Sequence, residues 1–194
     1  MTPFVAKLGF VLLAVAWYII RLRYARRSRR TPIARSARGI LENVLLTISL
    51  TGLGIVPFVY VFTGFPNFAG YSFRPVQGWL GLPFVVAALI LFYLTHRALG
   101  RHWSVSLDVR ESHKLVTEGI YRNIRHPMYT AFWLWAVSQA LLLPNWFAGL
   151  AGLFGFGTLF FGRVAREERM MIESFGHQYC EYMKRTYRLF PGLY

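Results

Sequence analysis

Apolar runs alternate with polar stretches along this chain, and the runs have the lengths of membrane-spanning helices. Residues 4–20, 40–63 and 78–95 are three such runs. At about 1.5 Å per residue, each is long enough to cross, or nearly cross, a hydrocarbon core of about 30 Å. Residues 129–143 and 146–162 are two further runs, each short for a full span, joined by Pro144-Asn145. That dipeptide is a turn signal, so the pair predicts a tight helical hairpin. Gly149, Gly152 and Gly155 recur in the second arm, with Ala148 and Ala151 beside them. Small residues on a helix face either let backbones approach closely or line a groove for a lipid chain. The expected fold class is all-α: an integral membrane protein of about five transmembrane helices, with a cytoplasmic-face cofactor pocket formed by the C-terminal half.

The polar stretches set the expected topology. Residues 21–38 hold eight arginines and no acid. Flanked by apolar spans, they read as a cytoplasmic loop under the positive-inside rule, which puts the N-terminus outside. No small-x-small cleavage site follows the first run, so a retained helix is expected rather than a signal peptide. Residues 64–77 carry Pro66, Asn67, Gly70 and Pro75 and one charge, Arg74, as an outside loop would. Pro57 lies near the far end of the second run, where a proline is tolerated and kinks the helix. Trp79 and Tyr93 fall near the two ends of the third run, as an aromatic belt predicts. Residues 96–128 are basic but mixed, with six Lys/Arg and three acids, and fall on the cytoplasmic side. Residues 163–183 are polar and helix-like; Gly176 should end one helix and open a short second one. The last seven residues read as an interfacial tail, and the C-terminus is cytoplasmic. A division follows, with a three-helix membrane region at 1–95 and a catalytic region at 96–194.

Composition narrows the function classes. The chain of 194 residues is 55% hydrophobic and 18% aromatic, with a formal charge of +14. Soluble nucleic-acid binders rarely carry several long apolar runs, so the charge reads as attraction to anionic lipid headgroups, with no nucleic-acid partner. A single cysteine, Cys180, excludes a disulfide framework within the chain and a Cys-cluster metal site. The five histidines are scattered and form no di-iron box, and no metal site is expected. There is no phosphate-binding Gly-rich loop and no nucleophile elbow. Few acids sit inside the spans, which argues against an ion path. A small membrane scaffold or transporter is the non-enzyme alternative. It would show polar groups near mid-bilayer or matching broken helices in two halves, and no repeat is present.

What remains is a polar segment, residues 115–129, followed across the hairpin by Arg163, Glu167 and Glu168. Both should return to the same side of the membrane. Arg163 and Glu167 are four apart and share a helix face. That spacing suits a local salt bridge. It also suits two groups facing a pocket, where Glu accepts hydrogen bonds from a ribose or amino group and Arg holds a carboxylate. His126-Pro127 could equally end a loop, with the proline in the first turn of the next helix.

These residues resemble a known family. Leu115-Val116-Thr117, Gly119-Ile120-Tyr121 and Arg125-His126-Pro127, with Tyr129 two residues on, resemble the signature of the isoprenylcysteine carboxyl methyltransferases. So do Arg163, Glu167-Glu168, Phe175-Gly176, Tyr179 and Tyr182, followed by Pro191; Met171 stands where such members usually have Leu. The resemblance covers roughly residues 95–194 and is to short, prokaryotic-type members. It implies an integral membrane enzyme that moves a methyl group from S-adenosylmethionine to the carboxylate of a C-terminal prenylated cysteine, leaving S-adenosylhomocysteine. His113, Lys114, Leu115, Val116, Tyr121, His126, Pro127, Met128, Tyr129 and Glu167 would then hold the cofactor, with Ser106 at its border. Arg163 would face the substrate carboxylate, and Arg163 and Glu167 would be the catalytic pair. The lipidic, prenylated substrate would enter from the bilayer. The wider superfamily includes phospholipid N-methyltransferases, which leaves an amine acceptor as the alternative. A sterol-reductase-like enzyme is a more distant one, and contacts for its nicotinamide nucleotide are not identifiable.

Overall fold

The structure is a computed structural model that describes residues 1–28, 33–36, 39–100, 108–110 and 115–192. Helix α1 is Pro3–Ser28, and α2 (Ile40–Leu50) and α3 (Val56–Thr63) form one rod across a π-helical turn at Thr51–Ile55. Helix α4 is Pro75–Leu99, α5 is Pro127–Leu142, α6 is Trp146–Phe175 and α7 is His177–Arg185. Four of these rods are long and apolar enough to cross a membrane: α1, α2–α3, α4 and α6. With 16 residues, α5 falls short of that length, as expected for the first arm of the hairpin. The second arm is longer than its apolar run, because the polar residues after Gly162 continue α6 to Phe175 without a break. One feature falls outside an all-α plan. A two-stranded antiparallel ribbon pairs β1 (Ile33–Ser36) with β2 (Asp108–Arg110), joining two loops expected on the same side.

The lipid-facing helices are apolar all round, so periodicity alone does not orient them. Packing does. Ala6, Phe10, Leu13 and Ala14 of α1 are buried, while Phe4, Leu8, Leu12 and Ile19 of the same helix stay on the outer surface. Lys7, the cation within this run, lies 4.3 Å from the centre of the Tyr60 ring. Trp17, Phe92, Phe132, Trp135 and Phe156 meet in tilted and edge-on contacts at the centre of the bundle.

The crossing of α6 with the α2–α3 rod explains the glycines. A side chain at Gly52 would drive into the Ala151 carbonyl, and a Cβ at Gly155 would lie 2.8 Å from the Ile48 carbonyl oxygen. Close packing, not a lipid groove, is what Gly152 and Gly155 serve. The π turn accommodates Pro57, whose missing N–H and ring crowd the preceding turn. Val56 N–H reaches back to the Thr51 carbonyl. The Gly52 carbonyl accepts from Gln139 Nε2 at 3.0 Å, and the same nitrogen donates to the Ala148 carbonyl at 2.7 Å.

The Pro144-Asn145 turn forms as predicted. Asn145 caps α6 by accepting from Ala148 N–H at 2.8 Å, and its amide donates to the Pro66 carbonyl at 2.6 Å. The hairpin tip and the 64–71 loop are thereby fixed to one another. At the other end, Gly176 terminates α6 at φ +56°, a backbone conformation that side chains disfavour, and α7 turns back over the 115–126 loop. The final segment is not a tail. Arg125 N–H donates to the Tyr187 carbonyl, His126 N–H to the Arg188 carbonyl, and Tyr187 N–H to the Asn123 carbonyl. Residues 186–189 lie as a strap along 123–126, and Thr130 Oγ1 pins the strap by donating to the Leu189 carbonyl at 2.7 Å.

Candidate active site

The site begins in the loop before α5. Gly119 takes φ +60° and starts a short 3-10 turn, Gly119–Arg122, which buries Tyr121. Tyr182 of α7 donates to the Tyr121 carbonyl at 2.7 Å. His126 caps α5, and Pro127 occupies its first turn, where its missing N–H costs nothing. Tyr129, two residues on, then meets Phe156 and Phe160 of α6 and stacks on His126.

Adjacent acids on α6 have separate roles. Glu168 is buried and carries three partners: Arg125 Nε at 2.7 Å, Arg188 through both carboxylate oxygens at 3.0 and 2.7 Å, and His126 Nε2 at 3.3 Å. It ties α6 to the loop and to the strap. Glu167 is more open, with its side chain 27% exposed. It accepts a short hydrogen bond from Tyr129, and His126 Nδ1 lies 3.8 Å from it. Arg163 Nε is 3.5 Å from Glu167, so the salt bridge expected from the four-residue spacing is present. Both residues also face a cavity. The local salt bridge and the pocket-facing placement therefore coexist.

The cavity has a volume of about 860 Å³ and two chemically distinct ends. Tyr121, Arg125, His126, Tyr129, Arg163, Glu167, Tyr179 and Tyr182 form the polar end. Ala14, Leu46, Leu53, Phe58, Phe132, Trp135, Phe156 and Leu159 are among those at the apolar end. Val15, Tyr18, Leu50 and Ile55 line the cavity and are also exposed on the outer surface. The cavity thus opens sideways between α1 and the α2–α3 rod, and the N-terminal helices supply much of its apolar wall.

Around the polar end, burial pushes the phenols of Tyr121, Tyr179 and Tyr182 above the ordinary tyrosine range. The carboxylates Glu167 and Glu168 add to the effect at Tyr179. These hydroxyls stay protonated, and that of Tyr182 donates to the Tyr121 carbonyl.

Of the residues singled out in the sequence, Leu115, Val116, Tyr121, His126, Met128, Tyr129, Arg163 and Glu167 all line this one cavity. Pro127 is buried in the first turn of α5 and does not line it. Ser106, His113 and Lys114 lie outside the described residues. Sequence reasoning missed Arg125, Tyr179 and Tyr182 as lining groups, although all three belong to the motifs quoted above. It also missed Glu42, a fully buried acid of α2 whose Oε1 lies 3.0 Å from Arg163 Nη1. Its one signal was a charge placed inside an apolar run.

Fold and site together define a multi-pass helical membrane protein with a charged pocket opening onto an apolar, laterally accessible chamber. The chain belongs to the isoprenylcysteine carboxyl methyltransferase family, whose model matches residues 79–173. It is 35% identical over 108 residues to protein-S-isoprenylcysteine O-methyltransferase B of Arabidopsis thaliana, covering 55% of each chain. It is 30% identical over 129 residues to a probable protein-S-isoprenylcysteine O-methyltransferase of Oryza sativa subsp. indica, covering 66% of each. The matched segments thus span between 55% and 66% of these relatives' lengths. The fold is that of a solved structure of the eukaryotic intramembrane Ras methyltransferase, with a TM-score of 0.63 at 20% identity, covering 100% of this chain and 69% of that one.

Proposed function

We propose that the protein transfers a methyl group from S-adenosylmethionine to the C-terminal carboxylate of a prenylated cysteine, or of a similar prenyl thioether acid. The observation that carries this reading is the continuity of the cavity. One chamber joins Arg163 and Glu167 to an apolar groove reached from the lipid-facing surface. A substrate with a carboxylate at one end and a long hydrocarbon chain at the other matches both ends at once.

The donor set at the polar end fits the cofactor. Glu167 offers a partly open carboxylate to hydroxyl or amino donors, while Leu115, Val116 and Met128 supply apolar wall beside it. Tyr121, His126 and Tyr129 complete the set, with Pro127 holding the turn, and His113, Lys114 and Ser106 join it by family resemblance. When bound, S-adenosylmethionine supplies an electrophilic methyl group on a sulfonium. A carboxylate acceptor needs no general base, so the chain's contribution is to orient and to exclude water. Arg163 holds the acceptor carboxylate, for which a planar guanidinium is well shaped. The ammonium form of an amine acceptor would be repelled by that same guanidinium, which disfavours a phospholipid amine.

In this reading the cofactor enters from the cytoplasm and the prenyl chain slides in between α1 and the α2–α3 rod. The N-terminus is outside and the C-terminus cytoplasmic, supported by the eight arginines of residues 21–38. The region 1–95 shapes the apolar groove and the region 96–194 carries the chemistry. The test is a methyl-transfer assay on purified protein in detergent, with labelled S-adenosylmethionine and either N-acetyl-S-farnesylcysteine or phosphatidylethanolamine. Base-labile label on the cysteine analogue is the expected result. Label on the lipid amine alone would overturn the acceptor, and failure to bind S-adenosylhomocysteine would overturn the methyl transfer itself.

A further inference from the structure

Glu42 is a charge in an unexpected place. It sits in the first turn of α2, it is fully buried, and it lies outside residues 79–173, the segment matched by the family model. Its carboxylate is 3.0 Å from Arg163 Nη1 and 4.0 Å from Arg166 Nη1. Arg163 is itself buried and lines the cavity, whereas Glu42 stands behind it, away from the lining. Stability does not account for this pairing. A buried ion pair contributes little net stability compared with apolar residues of similar volume. Helix capping does not account for it either, because the carboxylate reaches across to α6 instead of closing its own first turn.

We propose that Glu42 is a positioning residue for the acceptor. It fixes the plane of the Arg163 guanidinium, so that Arg163 presents one constant edge to the carboxylate it holds. The geometry places carboxylates in ion-pair range of two different groups of one side chain: Glu42 at Nη1 and Glu167 at Nε, the latter at 3.5 Å. Glu167 also belongs to the cofactor end of the cavity, and its hold on Arg163 changes with whatever occupies that end. Glu42 comes from another helix and is sealed from the cavity, so its hold does not. An arginine is a long, rotamer-rich side chain, and a two-bond clamp on a carboxylate works only when its fork is pre-oriented. The N-terminal helices thus take part in recognising the acceptor as well as in lining the groove.

This inference rests on the carboxyl methylation reading, so the wild-type protein is assayed first. If it esterifies no N-acetyl-S-farnesylcysteine, the reading fails and the inference falls with it. If it does, Glu42→Ala, Glu42→Gln and Glu42→Asp are compared by steady-state kinetics and by calorimetric binding of S-adenosylhomocysteine. Glu42→Ala should raise the acceptor KM about tenfold or more and lower kcat, because a misplacement of about 1 Å is enough to cost that much. Its affinity for S-adenosylhomocysteine should stay at the wild-type value. Glu42→Gln keeps an oxygen beside Nη1 but removes the charge, so its acceptor KM should fall between those of the wild type and Glu42→Ala, with cofactor affinity unchanged. Glu42→Asp keeps the charge but retracts it by one methylene, and should raise the acceptor KM while leaving cofactor affinity unchanged. It serves as the test if Glu42→Ala does not fold. Wild-type KM and kcat in the alanine or aspartate variant would overturn the proposal. So would a parallel loss of cofactor affinity, which would make the residue merely structural.

Discussion

Glu167 and Glu168 are neighbours in α6, yet Glu168 is enclosed by Arg125, His126 and Arg188 while Glu167 opens on the cavity beside Tyr129. Successive helical residues point about 100° apart, so one acid can bind the structure together while the next faces a ligand.

Glu168→Ala should therefore be a stability variant. It leaves two guanidinium groups without the carboxylate that joins them, and breaking such a buried pair costs about 3–5 kcal/mol. Thermal or denaturant unfolding in detergent should show a large drop, with the 123–126 loop and the 186–189 strap losing hydrogen-exchange protection first. An unfolding midpoint equal to that of the wild type would refute the role.

Glu167→Ala should do the reverse. The fold should keep its unfolding midpoint, and affinity for S-adenosylhomocysteine should fall by about 1.5–3 kcal/mol, the range for a hydrogen bond to a charged group. Calorimetric affinity equal to wild type would remove Glu167 from the cofactor site.

Arg163→Ala separates the two ends of the pocket. Cofactor binding should survive and methyl transfer to the farnesylcysteine analogue should drop by about two orders of magnitude or more, the cost of truncating a buried charge partner. Loss of cofactor affinity with normal acceptor binding would exchange the assigned roles of Arg163 and Glu167.

Gly155→Val tests the helix crossing. With a Cβ placed 2.8 Å from the Ile48 carbonyl oxygen, α6 must separate from the α2–α3 rod. A loss of about 1–3 kcal/mol, the usual cost of overpacking, should accompany reduced activity, because the same crossing holds Arg163 near Glu42. Gly192→Ala, with nothing within 4 Å of the added Cβ, is the contrasting control and should have a smaller effect despite its positive φ.

The tyrosines set an alkaline limit. Tyr121, Tyr179 and Tyr182 have native pKa values raised above the unfolded value of about 10, chiefly by burial. A raised pKa means that the unfolded chain releases these protons first. Their contribution to stability is complete below about pH 10 and declines as pH rises above it. Tyrosinate absorbance followed against pH should show these phenols ionising together with unfolding. Replacing Tyr182 with Phe should reduce the amplitude of that late step and leave the earlier, exposed titration intact.

Much of this was legible in the chain. The long apolar runs appear as helices, Pro144-Asn145 makes the turn, Gly176 divides α6 from α7, and Leu115, Val116, Tyr121, His126, Met128 and Tyr129 meet Arg163 and Glu167 at one cavity. Those features follow from length, from turn chemistry and from quoted motifs. Other features had no local signal. The 186–189 strap is held to 123–126 largely through backbone groups, which every residue carries, so its side chains do not advertise it. The facing of Glu167 and Glu168 depends on the rotation of a helix whose apolar part has no polar side. The Glu42–Arg163 pair joins positions 121 residues apart, and an acid near a helix start reads first as a partner for its own helix dipole.

The strap also bears on the order in which the protein is made. Thr130 is fastened to the carbonyl of Leu189, 59 residues later in the chain. During synthesis the helices up to α5 can enter the membrane and pack while that partner does not yet exist. The loop bearing His126 can take its final shape only after residue 189 has left the ribosome. The pocket is thus completed after most of the membrane bundle, and a nascent chain should hold its spans in the bilayer before it can hold a ligand.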